Sequence, residues 1–100
     1  MNSVLLSKKS KQVSRLRESK RGKWQVILHN DNTNTFDHVI ESLMDVCGHN
    51  EFQAHQCALI THNRKRCSVF VDKYEICISV QKQLQDANLT VTVEPYEKRD

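Results

Sequence analysis

Apolar and polar positions alternate from Trp24 to His29. Trp24, Val26 and Leu28 lie on one side, Gln25 and His29 on the other with Ile27 on that second face, and the run stops at Asn30-Asp31-Asn32. A period of two that breaks off in turn-forming residues predicts a strand. From Phe36 the spacing changes: Phe36, Val39, Ile40, Leu43, Met44 and Cys47 fall at i, i+3, i+4, i+7, i+8 and i+11, the stripe of an amphipathic helix. Thr35 is placed to cap it, and Gly48 stands where a left-handed C-terminal residue is wanted. Asn50 and Glu51 open a second helical run in which Phe52, Ala54, Cys57, Ala58 and Thr61 share a face. His62 falls at its C-terminal end, where a cation interacts favourably with the helix dipole.

Asn63 to Arg66 reads as a polar, basic turn, after which Cys67, Val69 and Val71 alternate with Ser68, Phe70 and Asp72 as a second strand. Asp72 and Glu75 have the spacing of a capping box, and Ile76, Cys77, Val80, Leu84 and Ala87 lie in one stripe of a third helix. Leu89 to Val93 alternates as a third strand closed by Glu94-Pro95. The order β-α-α-β-α-β predicts an α+β fold, a single small domain with three helices packed on a three-stranded antiparallel sheet. One hundred residues, 38% hydrophobic with two Gly and one Pro, suit one compact domain with an economical core.

Charge divides the chain. Eight Lys and Arg against one Glu give residues 1–23 a charge of +7, and since the total is +3, the remainder carries −4. A basic, Ser-rich leader on a mildly acidic body predicts a flexible N-terminal extension over 1–22, a folded domain over 23–97 and a short tail over 98–100. The leader alone would suit nucleic acid, yet it has no aromatic residue for base stacking and the body has no matching basic patch, so nucleic acid is disfavoured as a partner. No apolar run is long enough to span a membrane and the stretch at Met1 to Lys9 is too short for a signal peptide. A soluble, intracellular protein without a membrane partner is expected.

Cys47, Cys57, Cys67 and Cys77 recur every ten residues, but none shows C-x2-C spacing. Cys47, Cys57 and Cys77 fall on apolar stripes, where a free thiol behaves as a small hydrophobe, so no metal site is expected, although Cys47, His49, His55 and Cys57 form a cluster. His62 with Cys57 or Cys67 lacks the signature of a nucleophilic site, and Gly22 and Gly48 make no phosphate-cradling loop. Neither catalytic residues nor a cofactor are expected, and the chain reads as a non-enzyme.

The loop after the first strand carries the remaining chemistry. One reading of Asn30-Asp31-Asn32 is a turn and helix cap. The other is a set of acceptors beside an apolar helix face, which suits a cationic group attached to a hydrophobic one. V-I-L-H-N-D-N-T-N-T-F-D-H-V-I-E-S-L, then Gln56, A-L-I-T-H ending at His62, and C-S-V-F at Cys67 to Phe70, resembles the ClpS adaptor family from about Trp24 to Val93. That resemblance implies a bacterial cytoplasmic, monomeric adaptor that binds a free N-terminal Leu, Phe, Tyr or Trp of N-degron substrates. It further implies delivery of those substrates to the N-domain of a ClpA- or ClpC-type AAA+ unfoldase for degradation by ClpP.

By matching positions, Asn30, Asp31 and His62 would bind the substrate α-amino group, whose reference pKa near ~8 leaves it mostly protonated. Asn32, Asn34, Phe36, Val39, Ala58, Thr61 and Leu89 would line the side-chain pocket. The common members carry Asp-Asp and then Thr-Pro-Met where this chain has Asp31-Asn32-Thr33-Asn34-Thr35-Phe36, so the gate of the pocket is expected to differ in shape. Rival readings from other classes are a basic-tailed RNA- or ribosome-associated small α+β protein and a zinc-dependent module.

Overall fold

The computed structural model describes residues 20–97, so most of the expected basic extension and the tail over 98–100 lie outside the described residues. In chain order the elements are β1 (Lys23–His29), α1 (Phe36–Cys47), α2 (Glu51–Arg64), β2 (Arg66–Lys73), α3 (Tyr74–Asp86) and β3 (Val91–Pro95). The sheet order is β2-β1-β3 with both pairings antiparallel, so the first strand in sequence is the central one. This is the expected α+β architecture.

The central position explains the composition of β1. Val26, Ile27 and Leu28 are at most 3% exposed, and Val26 and Leu28 belong to one core with Leu43, Ala54, Val69, Cys77, Val80, Leu84, Leu89 and Val91. Each helix contributes part of its expected apolar stripe to that core, while Phe52 of α2 is 72% exposed and Phe36 and Met44 of α1 are also exposed. Within α3 the stripe is Cys77, Val80 and Leu84, whereas Ile76, expected on the same face, is 38% exposed.

Local signals set the helix ends. The Thr35 hydroxyl accepts from the His38 N–H at 3.1 Å, and Gly48, left-handed at φ 72°, turns the chain so that the following His49 N–H also reaches the Leu43 carbonyl, at 3.4 Å. Asn50 and Gln53 form a reciprocal capping box at 2.8 and 3.1 Å. The turn expected over Asn63 to Arg66 contracts to Lys65, because a left-handed C-cap at φ 76° reverses the chain within one residue. The expected Asp72/Glu75 capping box does not form. β2 continues to Lys73, which takes the N-cap position of α3 without a side-chain cap, and the Asp72 carboxylate accepts from the adjacent Lys73 N–H instead.

β2 departs from its expected alternation for a physical reason. Leu28 pairs with Cys67 and Ile27 with Ser68, but Val26 pairs with Phe70, so Val69 is an extra residue opposite the break between Val26 and Ile27. A bulge shifts every later side chain to the other face. Phe70 therefore packs against the core while Val71 is 37% exposed. β3 starts at Val91, two residues after the expected Leu89, because Asn88 at φ 71° still belongs to the turn that seats Leu89 in the core. Ahead of β1, the Lys20 ammonium lies 4.8 Å from both the Trp24 and Tyr74 ring centroids, and the Trp24 indole N–H donates to the Lys20 carbonyl. Among the described residues no helix is long and apolar enough to cross a membrane.

Candidate functional site

The C-terminal end of β1, the loop that follows, the first turn of α1 and the last turns of α2 enclose a cavity of about 420 Å³, counting its open mouth. Leu28, Phe36, Val39 and Ala58 give it apolar walls, and His29, Asn30, Asp31, Asn34, Thr61 and His62 give it polar groups. Convergent polar groups beside apolar walls in one concave hollow are features of a ligand site.

Asp31 holds the loop in shape. Its Oδ1 accepts from the Thr33 N–H at 3.0 Å, the Thr33 hydroxyl at 3.2 Å, the Asn34 N–H at 3.0 Å and the Asn34 amide at 3.1 Å. Its Oδ2 accepts from the Asn34 amide at 2.9 Å and the Thr90 hydroxyl at 3.4 Å. The same Asn34 amide donates to the Asn88 carbonyl at 2.8 Å, which ties this loop to the turn before β3. Burial pushes the Asp31 carboxyl up, but the donors from Asn34 and Thr33 outweigh it and hold the group below its ordinary 3.8. A carboxylate offers about four acceptor sites, and here the loop's own donors use them.

Asn30 and His62 are arranged differently. The Asn30 N–H donates to the Lys65 carbonyl at 2.9 Å, which fixes the backbone, while its side-chain amide makes no hydrogen bond to any described residue. The His62 imidazole also has no hydrogen-bond partner among the described residues. It meets the Phe36 ring edge-on with ring centroids 5.9 Å apart, and the His55 ring centroid lies 6.3 Å from that of Phe36. Phe36, 38% exposed, is thus near two imidazoles of α2. Thr61 is 5% exposed and donates to the Cys57 carbonyl at 2.7 Å, which satisfies its hydroxyl proton on the cavity wall.

Eight of the residues expected from the sequence therefore line one cavity: Asn30, Asp31, Asn34, Phe36, Val39, Ala58, Thr61 and His62. Two do not. Asn32 is exposed on the outside of the turn closed by Asp31, and Leu89 is 4% exposed within the core beside Leu84 and Val91. Leu28 and His29 also line the cavity, with the His29 Nε2 2.7 Å from the Thr92 hydroxyl. Period-two spacing marked both only as strand residues; their position at the strand's last two residues is the signal that they reach the site.

The family model of the ATP-dependent Clp protease adaptor protein ClpS matches residues 19–92. The chain belongs to the ClpS family. The ClpS fold extends to solved structures: the structure of Agrobacterium tumefaciens ClpS2 bound to L-phenylalaninamide superposes with a TM-score of 0.71 at 22% identity, covering 74% of this chain and 96% of that one. At that identity the likeness concerns the fold. No curated protein matches this ClpS chain. Among its described residues no group of three or more His, Cys, Asp and Glu is placed to hold a metal ion.

Proposed function

We propose that this ClpS protein captures the free N-terminal residue of substrate proteins in the cavity between β1, α1 and α2. The observation that carries the reading is the pair of polar side chains without a hydrogen-bond partner among the described residues, Asn30 and His62, on the lining of a hollow that also has the apolar walls Leu28, Phe36, Val39 and Ala58. The α-ammonium donates to the Asn30 side-chain oxygen and to a His62 ring nitrogen, and the Asp31 carboxylate supplies negative charge beside them. The terminal side chain packs among Leu28, Phe36, Val39 and Ala58, with Asn34 and Thr61 beside it. Burying a Leu- or Phe-sized group there contributes about 1.5–3 kcal/mol. The A. tumefaciens relative's ligand, an amino-acid amide with a free amine and an aromatic side chain, has the two features this cavity suits.

The protein then acts by affinity and tethering, without chemistry of its own, and hands terminal Leu, Phe, Tyr and Trp substrates to a ClpA- or ClpC-type unfoldase that feeds ClpP. Fluorescence-anisotropy titration of labelled peptides that differ only in residue one tests the specificity. Micromolar or tighter binding to Leu, Phe, Tyr and Trp, with at least tenfold loss for Gly, Asp and Lys, is expected; equal affinity across the panel would refute it.

A further inference from the structure

The passage from α2 into β2 carries three successive cations, Arg64, Lys65 and Arg66, all exposed. They are too few for the basic patch that nucleic acid requires, but the fold sets them along the edge of the cavity. Arg64 closes α2 two residues after His62, which lines the cavity. The Lys65 carbonyl accepts from the Asn30 N–H at 2.9 Å, and Arg66 pairs with His29 in the β1–β2 ladder. Each of these two cations therefore sits against a lining residue.

Their charges are not equally available. The Arg66 guanidinium donates to the Glu94 carboxylate at 2.7 Å and is offset by it. The Arg64 and Lys65 side chains have no ion pair or hydrogen bond among the described residues. Arg64 suits the negative end of the α2 dipole, as a cation at any helix C-terminus does, and that role leaves its charge open to whatever reaches the cavity mouth. Against the two stand the carboxylates of Asp31 on the lining and Asp37 in the first turn of α1. A captured α-ammonium offsets Asp31, so the balance at the edge of the occupied cavity is positive.

From this placement we infer that Arg64 and Lys65 form a subsite for acidic side chains at residues two and three of the substrate, so that the substrates favoured here carry Asp or Glu just after the captured residue. The inference rests on the capture of an N-terminal residue proposed above. An extended chain advances about 3.3–3.6 Å per residue, so residues two and three follow within about 7 Å of the first. That is inside the screening length of about 8 Å at physiological salt, and Arg and Lys reach outward on long, flexible stems. Exposed ion pairs are individually modest, so the subsite ranks substrates and does not replace the amine and side-chain contacts.

The test titrates the full-length protein, by fluorescence anisotropy, with labelled peptides that begin with a free Phe and carry Ser-Ser, Glu-Glu or Lys-Lys at residues two and three, at about 50 and about 500 mM salt. At low salt the Glu-Glu peptide should bind about three- to tenfold tighter than Ser-Ser, and Lys-Lys more weakly than either. The spread should shrink to less than about twofold at high salt. In the double variant Arg64→Gln, Lys65→Gln the ratio of Glu-Glu to Ser-Ser affinity, taken within that one protein, should fall to about one. Equal affinity of the unmutated protein for the three peptides at low salt, or a Glu-Glu preference that persists in the double variant, would overturn the subsite while leaving amine capture standing. Failure of all three free peptides to bind would overturn the capture reading and the subsite with it.

Discussion

Asp31 and Asn30 are adjacent in the chain and divide the work of the site between them. Asp31 spends its oxygens on Thr33, Asn34 and Thr90, so it shapes the loop, whereas the Asn30 side-chain amide has no hydrogen-bond partner among the described residues and is the group proposed to meet the ligand. Truncating Asn30→Ala should remove one hydrogen bond to a charged amine, about 1.5–3 kcal/mol, and weaken peptide capture about 10- to 100-fold. Its denaturation midpoint should not move, because no hydrogen bond among the described residues is lost; a shifted midpoint with unchanged affinity would contradict the division. For Asp31 the sign follows from its lowered pKa. Its stabilisation is fully present above the ordinary value of 3.8 and is lost as pH falls through the lower folded value. Urea denaturation should therefore find wild type ahead of Asp31→Asn at neutral pH, with the gap narrowing below about pH 4. A gap that stays constant with pH would mean the charge has no part in holding the loop.

At the scale of elements, what could be read from the sequence depended on how far the determining contact reached. The caps at Thr35 and Gly48 were legible because each is a bond between residues a few positions apart, whereas Asn50 was read only as the start of the second helix and its capping box with Gln53 emerges from the structure. Asn50→Ala should cost about 1 kcal/mol in urea denaturation, since the Gln53 N–H loses its acceptor; no measurable loss would show that the box is idle in solution. The bulge at Val69 was not legible, because it exists only in the pairing of β2 with β1, and with it went the facing of Phe70 and Val71. The Asp72/Glu75 signal failed for a related reason: pairing of Asp72 opposite Trp24 keeps the strand going through the position where the cap was expected.

Across the whole molecule, the antiparallel sheet with the first strand in the middle brings the Asn30 loop of β1 against the His62 end of α2, more than thirty positions later in the chain. That meeting could be named from a family resemblance, and the fold and most of the lining followed it. Local periodicity alone left the loop as a turn or a set of acceptors; the hydrogen bonds of Asp31 and Thr35 show the turn and cap, and the acceptor role is the one proposed for Asn30. Asn32 and Leu89 were misplaced because facing within a turn, and the choice between core and cavity wall, are decided by packing that no spacing rule contains. The core behind the cavity is continuous with its wall, so a cavity-forming change there should register globally: Leu43→Ala, fully buried in the wild type, is expected to lose about 2–5 kcal/mol by chemical denaturation. A loss under 1 kcal/mol would argue against a single packed core.

The most direct measurement of the central claim compares one labelled peptide beginning with Phe in two forms, with a free and with an acetylated N-terminus, by anisotropy against the intact protein. Acetylation removes the charge and most of the donors that Asn30 and His62 are proposed to receive while leaving the side chain untouched. The account predicts micromolar or tighter binding of the free form and loss of most of that affinity on acetylation. Equal affinity of the two forms would contradict capture of the amine, and with it the function assigned to this cavity.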